Sequence, residues 1–123
     1  MILGIGNDIL EVDRMRRDLD MAGSEFRDRL FTPAEIAYCE RKRYPAQHYA
    51  ARFAAKEAFS KALGTGLRGA IGWSEIQVND NERMRPSISV TGRARRFLGN
   101  RRVHVSLSHT NNYATAVVVI EEA

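Results

Sequence analysis

Two carboxylates and one lysine offer the most definite chemistry in this sequence. Asp8 closes an apolar alternating stretch, ILGIGNDI over residues 2–9, while Glu57 and Lys61 stand four apart in RFAAKEAFSKALGTG. Two oxygen ligands are too few for a calcium cage. They suit magnesium, which keeps several waters and takes its remaining ligands from substrate phosphates. A lysine one turn beyond Glu57 would neutralise charge developing in phosphoryl transfer, where catalysis is mostly positioning and electrostatics. Each residue also has a plainer reading. Asp8 is equally suited to cap the next helix, and Glu57 with Lys61 has the favourable order of an ordinary surface ion pair. No serine-nucleophile motif, cysteine–histidine pair or thiol zinc site is present, and the lone Cys39 reads as a buried thiol without chemistry.

Positioning these groups requires a strand and a helix in close contact. Residues 49–66 read as an alanine-rich helix, with Ala51, Ala54, Ala55, Ala58, Phe59, Ala62 and Leu63 on one apolar arc and Gly64 as its left-handed terminus. So many alanines let a sheet backbone approach. In the strand, Leu3, Ile5 and Ile9 point one way, while Ile2, Gly4, Gly6 and Asp8 point the other, leaving a bare face for the helix. The rest of the helix wheel carries Arg52, Lys56, Glu57 and Lys61. Arg52 and Lys56 have a like-charge spacing that calls for an anion nearby, and Arg52 is the candidate for a partly buried cation.

The remaining chain supplies further short elements. Residues 12–22 and 25–31 carry helical spacings separated by Gly23. Thr32-Pro33-Ala34-Glu35 is a capping box opening a helix to about Arg43, ending in Glu40-Arg41-Lys42-Arg43. Gly64, Gly66, Gly69 and Gly72 mark a connection that is no P-loop, since it follows a helix and lacks the GKS/T ending. Residues 73–79 and 87–91 predict a hairpin turning at Asp80-Asn81, with Ile76 and Val78 opposite Ile88 and Val90. A short helix is expected around 94–98. A final hairpin turns at Asn111-Asn112; its first strand places Val103, Val105 and Leu107 on one face, and His104, Ser106, Ser108 and Thr110 on a face that suits solvent or a phosphate ester. That strand is expected to be central.

The chain of 123 residues reads as one domain or one protomer, with a core small enough to gain from burial between subunits. Mean hydropathy is −0.38; no run approaches the ~20 apolar residues of a membrane span, and no signal peptide is visible, so a cytoplasmic location is expected. The net charge is +4, and 16 of the 19 basic residues are arginine, which favours an acidic or phosphorylated partner. A basic module binding nucleic acid or acidic proteins without catalysis is the competing reading. It lacks an aromatic-interleaved basic strand.

Taken together, GIGNDI followed by Arg14, then RFAAKEAFSKALGTG and HVSLSHT, resemble the holo-[acyl-carrier-protein] synthases, the short group of 4'-phosphopantetheinyl transferases. The resemblance implies an α+β fold, an antiparallel sheet packed on a central alanine-rich helix plus short N-terminal helices. It also implies a homotrimer with sites between subunits, acting in fatty acid and lipid biosynthesis. The implied reaction moves 4'-phosphopantetheine from coenzyme A to a serine of apo-acyl carrier protein, with Mg2+, releasing 3',5'-ADP. By position, Asp8 and Glu57 would be the metal ligands and Lys61 the phosphate-contacting, catalytic lysine. Arg52 and His104 would lie near the 3'-phosphate of coenzyme A, and Arg14, Arg16 and Arg17 would meet the carrier protein. Either Glu57 or a metal-bound water could take the serine proton. Met84-Arg85-Pro86 departs from the family's usual Gly-Lys-Pro.

Overall fold

A computed structural model describes residues 1–64, 72–80 and 85–123. Its elements are β1 (Ile2–Glu11), α1 (Val12–Leu30), α2 (Pro33–Glu40), α3 (Pro45–Leu63), a 3-10 turn (Trp73–Glu75), β2 (Ile76–Asp80), β3 (Pro86–Val90), α4 (Gly92–Leu98), β4 (Arg102–His109) and β5 (Tyr113–Glu121). This is the expected α+β arrangement of antiparallel strands on an alanine-rich helix. The strands form two groups, a three-stranded sheet in the order β1-β5-β4 and a separate β2-β3 ribbon.

Bare glycine against small alanine sets the central contact. A Cβ placed on Gly6 would lie 1.9 Å from the Ala58 carbonyl oxygen, and one on Gly4 equally close to that of Ala62. The β1 backbone therefore rests directly on α3. The inward side of β5, Ala114, Ala116, Val118 and Ile120, is buried on the same helix. With Phe59, Ile76, Val78, Ala94 and Leu98, the side chains of Ala116, Val118 and Ile120 form the main core. A second cluster lies toward the start of α3, where Val12, Met15, Leu30 and Phe31 pack on Tyr49 and Ala50. Cys39 is fully enclosed, and burial pushes its thiol up to about 12, as befits an inert group.

Several boundaries differ from expectation for local reasons. α3 begins at Pro45, four residues before the expected start at residue 49, because a proline at the first position pre-sets the helical φ. α2 ends at Glu40 instead of near Arg43. Tyr44 precedes that proline and adopts φ −124° and ψ 80°, which keeps the chain out of helix. Residues 12–30 follow one helical path interrupted at Gly23 (φ 69°, ψ −156°). Trp73–Glu75 is not strand, since Glu75 accepts from the Gly72 and Ala94 N–H groups and folds the segment into a turn. Leu63 is only half-buried. In the β2-β3 ribbon, Ile76 pairs with Val90 and Val78 with Ile88, the expected register. Of the expected turn and glycine features, Asn81, Met84, Gly66 and Gly69 lie outside the described residues.

The final hairpin forms at Asn111-Asn112, but its two strands exchange the expected places. β5 is central and β4 lies at the sheet edge. A strand with a hydroxyl face suits that position, because the central place goes to the more continuously apolar YATAVVVIE. The side of the sheet away from α3 is bare and partly apolar: Leu3, Ile5, Ile9 and Val117 are 46%, 63%, 64% and 42% exposed.

Candidate active site

Because β1 touches α3 backbone to backbone at Gly4 and Gly6, the next inward residue, Asp8, is delivered to the helix surface. β1 continues to Glu11, so Asp8 caps no helix. Its backbone carbonyl accepts from the Thr115 hydroxyl at 2.8 Å, which ties the strand to β5. Its carboxylate meets Lys61, whose Nζ donates to Asp8 Oδ1 at 3.2 Å and to the Asn7 carbonyl at 2.9 Å. Lys61 thus bonds across to the strand.

Glu57 stands beside this pair. Burial pushes its carboxyl above the ordinary range, the negative charge of Asp8 pushes it further, and Lys61 only partly compensates. The two acids therefore lie near enough to repel one another. Such a pair favours a small hard cation between them. Among the described residues no group of three or more His, Cys, Asp or Glu side chains could hold a metal. A cation here would have Asp8 and Glu57 as its protein ligands and would complete its shell with water and substrate oxygens, so the donor set fits magnesium.

The other expected coenzyme A residues lie elsewhere in the chain. Arg52 is about 140° around the helix from Glu57 and about 180° from Lys61. It is buried, 2% exposed, and its guanidinium donates to Asp80 at 2.6 Å while stacking on Tyr38, 3.9 Å from the ring centre. Burial raises the Asp80 carboxyl, but hydrogen bonds from Tyr38 and Arg52 outweigh it and hold the group below the usual range. Arg52 Nε is buried with no hydrogen-bond partner among the described residues. A cavity of about 190 Å³ adjoins it, with Arg41 also on the wall.

His104 is exposed on the side of the sheet away from α3, opposite in sense to Asp8, and sits 2.8 Å from Glu121. It lines a groove of about 440 Å³ with Arg85, Pro86 and Ser106. Arg14, Arg16 and Arg17 are all exposed on α1, with Arg16 paired to Asp13 and about 200° around the helix from Arg14. One chain therefore brings together Asp8, Glu57 and Lys61, and does not bring Arg52, His104 or the α1 arginines to them.

Sequence reasoning missed the buried pair next to Glu57. Lys56 is fully buried and donates to Glu35 Oε1 and the Leu30 carbonyl, each at 2.7 Å, and to the Trp73 carbonyl at 3.1 Å. Glu35 also accepts from the Thr32 and Val78 N–H groups, both at 2.9 Å. A capping glutamate thus has a second, larger task, and the only hint was a lysine placed among alanines. The Tyr38, His48 and His109 ring stack was likewise unforeseen.

Comparison with known proteins decides what kind of protein carries this geometry. Residues 4–118 match the family model described as the 4'-phosphopantetheinyl transferase superfamily. The chain belongs to that superfamily. It is 46% identical to the holo-[acyl-carrier-protein] synthase of Koribacter versatilis, over 99% of this chain and all of that protein. It is 47% identical to the synthase of Trichlorobacter lovleyi, over 98% of each chain. Among solved structures, the Neisseria meningitidis synthase superposes with a TM-score of 0.90 at 36% identity, covering 99% of this chain and 100% of the other. The Bacillus anthracis synthase, described in complex with CoA (3',5'-ADP), gives 0.86 at 34% identity over 100% and 99%. The transferase fold and the three-residue cluster are thus found in one chain that aligns along nearly the whole length of these relatives.

Proposed function

We propose that this transferase moves the 4'-phosphopantetheine group of coenzyme A onto a serine hydroxyl of apo-acyl carrier protein, releasing 3',5'-ADP. The observation that carries the reading is the meeting of Asp8 from β1 with Glu57 and Lys61 from α3, in a chain related over its whole length to holo-[acyl-carrier-protein] synthases. A non-catalytic basic module would have no use for two mutually repelling carboxylates beside a lysine.

Asp8 and Glu57 would hold Mg2+, which supplies charge neutralisation at the pyrophosphate when bound. Lys61, steered by Asn7 and Asp8, presents a cation to the phosphate oxygens. In the reaction the serine oxygen attacks the β-phosphorus, the bond from that phosphorus to the bridging oxygen breaks, and 3',5'-ADP leaves. Glu57 would take the serine proton. Arg52 and Arg41 flank a cavity with an unused buried donor, which supports a role for Arg52 at the 3'-phosphate. His104 would line the adenosine end of the site, and Arg14, Arg16 and Arg17 would dock the acidic carrier.

Since these groups lie on separate sides of one chain, a complete site needs more than one copy. The bare apolar sheet side offers a surface for the partners, and we place the chain as one domain over residues 1–123 in a cytoplasmic homotrimer. No described helix is long and apolar enough to cross a membrane. Incubation with apo-carrier protein, coenzyme A and Mg2+ should give a carrier heavier by one phosphopantetheinyl arm, read by intact mass. An unmodified carrier with the folded protein in excess would overturn the proposal, and chelation of Mg2+ should stop the reaction.

A further inference from the structure

A second concavity lies apart from the Asp8 cluster. Between the break in α1 and the α2–α3 junction is a cavity of about 430 Å³, within the size range of small-molecule sites. Its origin is local. At Gly23 the backbone leaves helical geometry, and a Cβ there would meet nothing within 4 Å, so the bent path surrounds a hollow and does not fill it.

The lining is divided in character. Leu19, Tyr44 and Pro45 supply its accessible apolar surface, while Tyr49, buried and with its hydroxyl committed to Glu40 at 2.6 Å, closes the floor. Arg16, Arg27 and Arg43 also reach the cavity, against only Asp20 and Glu40 of opposite sign. Arg16 and Arg27 pair with Asp13 and Asp28, neither of which lines it, whereas Arg43 stacks on Tyr44 and has no carboxylate partner among the described residues. A guanidinium that is not ion-paired, with a second one nearby, is the usual recognition group for a carboxylate. An apolar floor selects the body attached to it.

We propose that this cavity binds a small amphiphilic carboxylate, of which a medium-chain fatty acid is the simplest member, with its carboxylate at Arg27 and Arg43 and its chain over Leu19, Tyr44 and Pro45. Arg16, Leu19 and Asp20 lie roughly 140–240° around α1 from Arg14. The site therefore faces away from Arg14, shares Arg16 with the proposed carrier-docking set, and shares no residue with Asp8, Glu57 or Lys61.

The test titrates the full-length chain by calorimetry with octanoate, octan-1-ol and inorganic phosphate, each with and without coenzyme A. The variants are Arg27→Gln with Arg43→Gln, and Ser24→Trp, which places an indole in the cavity from an exposed position. We expect one octanoate per chain, binding about tenfold weaker or worse in either variant, and similarly weaker binding of the alcohol and phosphate. Coenzyme A should not displace it. Circular dichroism confirms folding first, and Ser24→Trp decides the matter if the double variant unfolds. No octanoate binding at millimolar concentration overturns the assignment, as does binding that the folded variants leave unchanged. Phosphate or octanol binding as tight as octanoate overturns the amphiphilic carboxylate, and displacement by coenzyme A would move the ligand to the other site.

Discussion

Lys56 and Glu57 are adjacent on α3 yet belong to two different environments. Lys56 is sealed, with its ammonium fully bonded and Glu35 fully shared between Lys56, Thr32 and Val78. Glu57 stands beside a like charge with its carboxyl held above its ordinary range. The first region meets the rule that a buried ion must be paired and hydrogen-bonded. The second violates it on purpose, in the manner of a site that expects a ligand. One residue step along the helix, about 100° of rotation, therefore separates a charge that stabilises the architecture from a charge that the architecture holds in reserve.

The comparison breaks most visibly in stability. Lys56→Met should cost about 3–5 kcal/mol in urea melts, because it leaves the Glu35 carboxylate buried without its cation. Adding Glu35→Leu should recover only part of this, since the Thr32 and Val78 N–H groups then lose their acceptor; full recovery would show that the pair contributes nothing beyond its own balance. Glu57→Gln should do the reverse. Stability stays within about 0.5 kcal/mol, while turnover in the mass assay falls about a hundredfold or more. A Glu57→Gln protein with near-normal turnover would remove Glu57 from the reaction.

Titration extends the contrast to a third group, because Asp80, paired within the fold with Arg52, and Glu57 carry opposite signs. Asp80 is held low by its Tyr38 and Arg52 bonds despite its burial, so its contribution is present above the ordinary 3.8 and lost as pH falls through the lower folded value. Glu57 is raised, chiefly by burial and then by Asp8. Its contribution is present below the ordinary 4.5 and lost as pH rises through the higher folded value. Metal-free stability measured from pH 3 to 7 should therefore lose its acid-side decline in Asp80→Asn and gain stability toward neutral pH in Glu57→Gln. The smallest expected effect lies on the surface. Arg14→Glu with Arg17→Glu should raise KM for carrier protein several-fold, by roughly 1 kcal/mol, with KM for coenzyme A unchanged.

Much of this organisation is legible in local pattern. Glycines alternating on β1 and alanines repeating on α3 announce a backbone contact, and that contact fixes where Asp8 meets the helix. The Thr32–Glu35 capping box and the break at Gly23 are short-range signals and read directly. What pattern does not carry is partner choice across the fold. The separation of Lys56 from Lys61 into sealed and open sites depends on Glu35 and Asp8, respectively 21 and 53 residues away in sequence. The order β1-β5-β4 is of the same kind, because either strand of the last hairpin alternates well enough to pair with β1.

The glycine contact also restricts what the carboxylate pair can accept. Where β1 meets α3 there is no side chain to trim or enlarge, so the gap between Asp8 and Glu57 is set by main-chain thickness and only finely adjusted by rotamers. On the proposed reading of Asp8 and Glu57 as metal ligands, fitting an ion with a wider coordination shell would mean exchanging those two side chains, because repacking neighbours leaves the backbone contact unchanged.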